Sequence, residues 1–330
     1  MSDILYNNKD KLNKSIVVIY LLTFNSEKVI GDTLHSLTNQ TYKKIKIIIL
    51  DNKSTDNTIK IIKKFKKKDN RINLVIDKKR RSAQAAQIFL FKKYISKFKF
   101  GLQTSDDDIY HKKYIELNLQ NMENNSSSLS YSSFNLLSMS GKKIFAKEKA
   151  IYQNSKNAIF NSYFINTVKY IIYRNPVPIV FGVFKTKNFS QSMLKFNKIF
   201  DGSRANYENL YMIDFLVNNK VSYLNKKLFY YRERNRHALA EARGQKSMNF
   251  KLKFYDSFKI FKYQFTFSKK IFNIILLSKK INYIHKFLIF NLILMTYFQK
   301  SFSFLIRSFL TRINNYFLKK YYFHHSKKKA

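Results

Sequence analysis

The chain has 330 residues, enough for one large domain or two ordinary ones with a substantial core. Its 62 Lys and Arg against 20 Asp and Glu give a formal net charge of +42, which favours phosphate-bearing partners without choosing among nucleotides, nucleic acid and anionic lipid. The absence of cysteine excludes disulfides, thiolate metal sites and cysteine nucleophiles, so any metal must be held by oxygen or imidazole. Part of the lysine excess needs no functional cause, because abundant Lys, Asn, Ile, Phe and Tyr with few Gly and Pro is what AT-biased coding would write.

The start, "MSDILYNNKDKLNK", lacks the apolar core of a secretory signal, and a cytoplasmic location is expected. "SIVVIYLLTF", residues 15–24, is an apolar β-branched run of buried-strand length. The following "EKVIGDTLHSLTNQT" spaces Val29, Ile30, Leu34 and Leu37 as one helix face. "KIKIIIL" leads into Asp51, and "STDNTIKIIKKFKKK" opens on residues suited to capping a helix. "INLVID" and a helix-like segment through Tyr94 follow, and "FKFGLQT" runs into three adjacent aspartates, Asp106, Asp107 and Asp108. This alternation predicts an open parallel α/β sheet, in which ligands collect beyond the carboxyl ends of the strands. Three polar segments fall at those ends: Thr23 to Asn25, Asp51 to Lys53, and Ser105 to Asp108. Adjacent carboxylates repel unless they share a proton or a cation, so the aspartates point to a metal.

Farther along, "NNSSSLSYSS" is compatible with a loop or an edge strand. Pro176 and Pro178 set an extended approach to the strand-like "IVFGVFK", "NYENLYMIDFLVNNK" is helical in pattern, and "VSYLNKKLFYYRER" is a last strand. From about Lys251 the composition turns to Phe, Ile, Leu, Tyr and Lys, and Asp256 is the only acid after Glu241. The longest apolar run there, "FLIFNLILMTYF", is too short to span a bilayer. The region is expected to form basic amphipathic helices lying on a membrane surface, or packing on protein.

The stretch "SIVVIYLLTFNSEKVIGDTLHSLTNQTYKKIKIIILDNKSTDNTIKII" resembles the opening of family-2 glycosyltransferases, through Thr23-Phe24-Asn25, "SLTNQTY" and "DNKSTDNT". The likeness runs well over about residues 14 to 115 and weakly to about 237. It implies an α/β GT-A fold: a catalytic domain over 1–245 with a nucleotide half at about 14–115 and an acceptor half at about 116–245. The helical, basic C-terminal region covers 246–330. It further implies inverting transfer of a sugar from a nucleotide diphosphate donor, a UDP-sugar first, to a glycan or lipid-linked acceptor in surface polysaccharide assembly. Thr23, Phe24, Asn25, Asp51 and Asn52 would form the nucleotide pocket, although Asn52 and Lys53 stand where the family usually has Asp and Gly. The aspartates match a DXD-type motif holding Mg²⁺ or Mn²⁺, with Asp106 and Asp108 as the metal pair and Asp106 and Asp107 also toward the nucleotide. An alternative register places Ser105 first.

Within the same resemblance, Glu208 would be the base that takes the acceptor's proton, with Asp201, and less so Asp214, as rivals. Tyr231 and Arg232 match the family's Tyr-Arg-X-His, but Arg234 occupies the His position and His237 comes three residues later. Arg232, Arg234 and Arg236 would contact the diphosphate or acceptor, and His237 could reach the metal. The expected location is peripheral, on the inner face of the cell membrane and against its anionic surface. No nucleic acid is expected, and a homo-oligomer is possible. The alternative is a non-catalytic polyanion-binding or scaffold protein on the same fold.

Overall fold

The computed structural model describes residues 15–138, 143–144, 163, 167–168, 179–196, 207–232 and 254–299. The chain separates into two compact units, 1–246 and 247–330.

In the first unit the described strands form one nine-stranded sheet, ordered β3-β2-β1-β4-β8-β6-β9-β5 with β7 beside β6. Strands β1 (Val17–Thr23), β2 (Ile45–Asp51), β3 (Ile72–Ile76) and β4 (Phe100–Thr104) run parallel. Residues Val17 to Leu21 of β1 are buried without alternation, as befits a strand covered on both faces. Helix α1 (Ile30–Thr38) buries Ile30, Leu34 and Leu37 at helical spacing. Helix α2 (Thr58–Lys68) sinks Ile62 into the core and ends in Lys66, Lys67 and Lys68, where positive charge suits the helix dipole. Helix α3 (Ala83–Leu90) is capped by Ser82, whose hydroxyl accepts from the Ala85 N–H at 3.2 Å, and continues as a π-turn over Phe91–Ile95.

The chain builds outward from β1 to β3 and then returns to the other side of β1 to lay down β4. The order therefore reverses between β1 and β4. A crevice opens there at the carboxyl ends, beyond Thr23 and Thr104. After β4 the pairing turns mixed. It comprises β5 (Ile109–Tyr110), β6 (Leu129–Leu137), β7 (Lys143–Ile144), β8 (Val183–Lys185) and β9 (Val221–Arg232). Helices α4 (Tyr114–Asn124), α5 (Thr186–Lys195) and α6 (Tyr207–Asn218) accompany them.

Two sequence expectations are corrected here. The serine-rich run is a loop only over residues 125–128 and is not an edge strand: β6, from Leu129, lies inside the sheet, antiparallel to β8 and parallel to β9. Its buried serines are satisfied locally, Ser130 Oγ donating to Asn118 Oδ1 at 2.8 Å and accepting from Asn121 Nδ2 at 2.9 Å. The run after the prolines is shorter than its apolar composition suggests, a 3-10 turn at Ile179–Phe181 followed by the three residues of β8. Pro176 and Pro178 lie outside the described residues.

The second unit contains α7 (Phe254–Leu277) and α8, residues 283–299. The two helices pack through Phe272 and Phe290, with ring centroids 4.8 Å apart, and through Phe265 and Tyr297 at 6.1 Å. Among the described residues, no helix is long and apolar enough to cross a membrane.

Gly101, in the strand that delivers the aspartates, has no room for a side chain. A Cβ there would stand 2.5 Å from the Phe184 ring, which is itself stacked on Phe189 at a centroid distance of 3.9 Å. Gly101→Ala is expected to destabilise the unit by about 1–3 kcal/mol in denaturant unfolding; an unchanged midpoint would show that the aromatic stack yields freely.

Candidate active site

The loops after β1 and β2 are sewn together by the polar residues of the sequence motifs. Asn25 N–H donates to Ser54 Oγ at 2.9 Å, and Asn25 Oδ1 accepts from Thr55 N–H at 2.9 Å. Ser26 N–H donates to Thr58 Oγ1 at 2.7 Å, and Asn57 N–H to Glu27 Oε2 at 3.0 Å. Asp51 Oδ1 accepts from Ser54 N–H at 2.8 Å, closing the turn in which Lys53 sits at a φ of 68°. That backbone favours glycine, which explains why a glycine is the expected occupant of the position. Asn25, at a φ of 49°, thus spends its amide oxygen on stitching the two loops.

Beside this seam lies a cavity of about 240 Å³, with Thr23, Phe24, Asn52, Arg80, Asp106 and Glu208 in its wall. The Thr23 hydroxyl and Asp51 Oδ2 are buried and make no hydrogen bond within the described residues. These two residues are register partners at the ends of β1 and β2. Buried polar atoms left open at a strand end suit a polar ligand. Asn52 borders the cavity while its amide brackets Arg81, donating to the Arg81 carbonyl and accepting from its N–H, both at 2.9 Å. Arg81 in turn pairs with Asp77 at 2.7 Å. The bracket fixes the segment carrying Arg80, whose guanidinium carbon lies 4.0 Å from the Phe24 ring centroid. Sequence reasoning missed Arg80, Gln87 and Gln103 in this wall; the basic "KKRR" just after the third strand was the one available signal for Arg80.

The three aspartates are buried and turn to different neighbours. Asp106 Oδ2 accepts from Phe24 N–H at 3.4 Å and from the Ser26 hydroxyl, tying the β4 loop to the β1 loop. Asp107 Oδ1 accepts from the Ser105 hydroxyl at 2.6 Å. Asp108 Oδ1 accepts from Arg232 N–H at 3.0 Å. The Arg232 side chain is buried, donating from Nε to the Asp107 carbonyl at 2.9 Å and from Nη2 to Asp32 at 2.9 Å. Arg232 therefore braces the aspartate loop. Asp106 is the aspartate in the cavity wall, and Asp108 is the one held on the Arg232 side.

No group of three His, Cys, Asp or Glu side chains among the described residues gathers as a ligand cluster. A hard divalent ion on a nucleotide diphosphate needs only one or two carboxylates, with phosphate and water supplying the rest. The all-oxygen donors at this loop, with Asp106 on the cavity, fit such an ion.

Glu208 comes to the same cavity from the first turn of α6. Its carboxylate accepts from Gln87 Nε2 at 3.4 Å. Burial pushes its pKa above the ordinary carboxylate range, with the Gln87 bond opposing the shift. Burial, followed by the neighbouring Tyr207 and Glu208, raises the Tyr20 hydroxyl in turn. Asp214 is occupied elsewhere, since its oxygens accept from Ser192 at 2.7 Å and from Lys195 at 2.6 Å, joining α6 to α5. Asp201, Arg234, Arg236 and His237 lie outside the described residues.

Comparison with known proteins agrees with this architecture. The Bacillus subtilis (strain 168) protein "Putative teichuronic acid biosynthesis glycosyltransferase TuaG" is 28% identical over 151 residues, 44% of this chain and 59% of that protein. The Escherichia coli UDP-Glc:alpha-D-GlcNAc-diphosphoundecaprenol beta-1,3-glucosyltransferase WfaP is 33% identical over 119 residues, 36% of this chain and 46% of that protein. The matched stretch thus spans about half the length of these relatives. The crystal structure of S. aureus TarS 1-349 in complex with UDP-GlcNAc superposes with a TM-score of 0.60 at 17% identity, covering 86% of this chain and 72% of that one. That likeness establishes the fold, a mixed α/β open sheet of GT-A type. The profile of Glycosyl transferase family 2 matches residues 18–186, just over half of the sequence, and the chain belongs to that family.

Proposed function

We propose that this chain transfers a sugar, with inversion, from a nucleotide diphosphate donor to a hydroxyl of a glycan or lipid-linked acceptor in surface polysaccharide assembly. The observation that carries the proposal is that Asp106, at the end of β4, and Glu208, at the start of α6, border one cavity. A donor-holding carboxylate and a base from distant parts of the chain are what an inverting transfer needs in one place. WfaP is named for UDP-Glc and the TarS complex holds UDP-GlcNAc, which supports a UDP-sugar donor here.

In this reading Thr23, Phe24 and Asp51 receive the nucleoside, with Asn52 and Asn25 holding the loops that shape its pocket. Asp106 and Asp108 would hold Mg²⁺ or Mn²⁺ on the diphosphate, with Asp106 and Asp107 also toward the nucleotide, while Arg232 braces their loop. The ion, when bound, would supply positive charge to the leaving diphosphate. Glu208 accepts the proton of the acceptor hydroxyl as that oxygen bonds to the anomeric carbon and the diphosphate departs. Residues 1–245 form the catalytic domain and 246–330 an accessory region, and the enzyme works at the inner face of the cell membrane, where a lipid-linked acceptor would be presented.

Two substitutions test this assignment. Asp106→Asn is expected to abolish metal-dependent donor binding and to lower turnover by at least about 100-fold. Unchanged donor affinity and turnover would contradict the role and favour a non-catalytic polyanion binder. Glu208→Gln is expected to lower turnover by roughly 10²–10⁴-fold without loss of thermal stability. The sign follows from the raised pKa: the folded state holds the Glu208 proton more tightly than the unfolded chain. Ionising Glu208 therefore costs stability as pH rises from the ordinary carboxylate range through the folded value, and glutamine removes that cost. Wild-type turnover should rise with pH over the same window as the base deprotonates. A flat profile there, or a Gln variant with wild-type turnover, would remove Glu208 from the role.

A further inference from the structure

The α7–α8 hairpin carries apolar surface that its own packing does not use. Ile289, Ile293 and Tyr297 of α8 are buried, whereas Ile284, Phe287, Met295 and Phe298 recur at helical spacing on an exposed face. At the turn and the first turn of α8 Leu277 is 72% exposed, Tyr283 86%, Ile284 72% and Phe287 66%, and the face continues to Met295 at 69%. Contiguous large apolar side chains at such exposure mark a surface built to meet something.

The charges beside this tip limit what it can meet. Lys279 and Lys280 are exposed within the turn itself. Lys286 donates to the Leu276 carbonyl at 2.7 Å and stands 5.3 Å from the Tyr283 ring centroid, bracing the apolar turn while bringing a third positive charge to it. Asp256 is the only acidic residue from position 242 to the end of the chain. A second copy of this tip would therefore set lysine against lysine with no carboxylate nearby to relieve the repulsion. A surface with an apolar interior beneath a layer of negative charge satisfies both features at once.

We propose that the hairpin turn is a docking tip for anionic phospholipid. Leu277, Tyr283, Ile284 and Phe287 enter the boundary between headgroups and acyl chains, and Lys279 and Lys280 rest among the phosphates. The tip anchors without crossing, in keeping with the absence of a spanning helix among the described residues. This inference concerns residues of the second unit alone and does not depend on the transfer reaction.

Vesicle flotation of the full chain tests it, comparing phosphatidylglycerol–phosphatidylcholine vesicles with pure phosphatidylcholine vesicles. Wild type is expected to float with the mixed vesicles and to be released by high salt. Tyr283→Ser with Phe287→Ser should reduce partitioning at least ~10-fold, and Lys279→Gln with Lys280→Gln by roughly fivefold per lysine on the anionic vesicles alone. All four side chains are exposed, and an unchanged circular dichroism spectrum and melting midpoint would establish that the variants remain folded. Failure of wild type to float, equal flotation on both vesicle types, or wild-type partitioning by the Ser variant would overturn the proposal. So would a self-association that the Ser variant alone abolishes, since a second copy would then be the occupant.

Discussion

A carboxylate placed at the point where a parallel sheet reverses its strand order must be held there by something, because burial alone would expel its charge. In this protein the holding contacts come from the neighbouring strand: Phe24 N–H and the Ser26 hydroxyl both donate to Asp106. They join the loop after β4 to the loop after β1 across the reversal. The β1 loop is in turn pinned to the β2 loop through Asn25, Ser54 and Thr55. From the other side, Arg232 braces the same aspartate segment through Asp107 and Asp108. The cavity wall is consequently made of loops with little freedom to drift, which is what preorganisation of a donor site requires.

The four parallel strands β1 to β4 and their loops were largely legible in the sequence because their signals are local. Buried parallel strands must be continuously apolar, strand ends must be followed by polar residues that satisfy a turn, and both rules act within a few residues. The spacing of Thr23, Asp51 and the aspartates therefore already placed them at one edge of a sheet. Glu208 was singled out through family resemblance and not through pattern, since a glutamate in a first helical turn is also favoured by the helix dipole. Its place in the cavity wall distinguishes it from Asp214, which is committed to Ser192 and Lys195.

What the sequence could not convey depends on contacts between distant segments. The interior position of β6 rests on serine hydroxyls finding Asn118 and Asn121 on α4, and no hydropathy pattern reports such pairings. The different contacts of Asp106, Asp107 and Asp108 rest on Ser26, Ser105 and Arg232, residues whose motif context says nothing about their partners. The basic "KKRR" run hinted at Arg80 but not at its place, because its position over Phe24 follows from the Asn52 bracket on Arg81. The departure from the family at Asn52 and Lys53 has two separate meanings. Asn52 supplies both donor and acceptor to a backbone it must hold, which a carboxylate could not do, whereas Lys53 occupies a left-handed backbone that glycine would adopt without strain.

Every role proposed for the crevice between β1 and β4 requires that it bind a nucleotide diphosphate through a divalent cation seated at the aspartate loop. Isothermal calorimetry of the full chain with UDP-, GDP- and dTDP-sugars, each with and without Mn²⁺, measures that binding. One nucleotide class is expected to bind, its binding is expected to require the metal, and Asp106→Asn is expected to abolish it. Binding of equal strength with Mn²⁺ and with chelator, or no binding by any of the three classes, would contradict this mode of donor recognition.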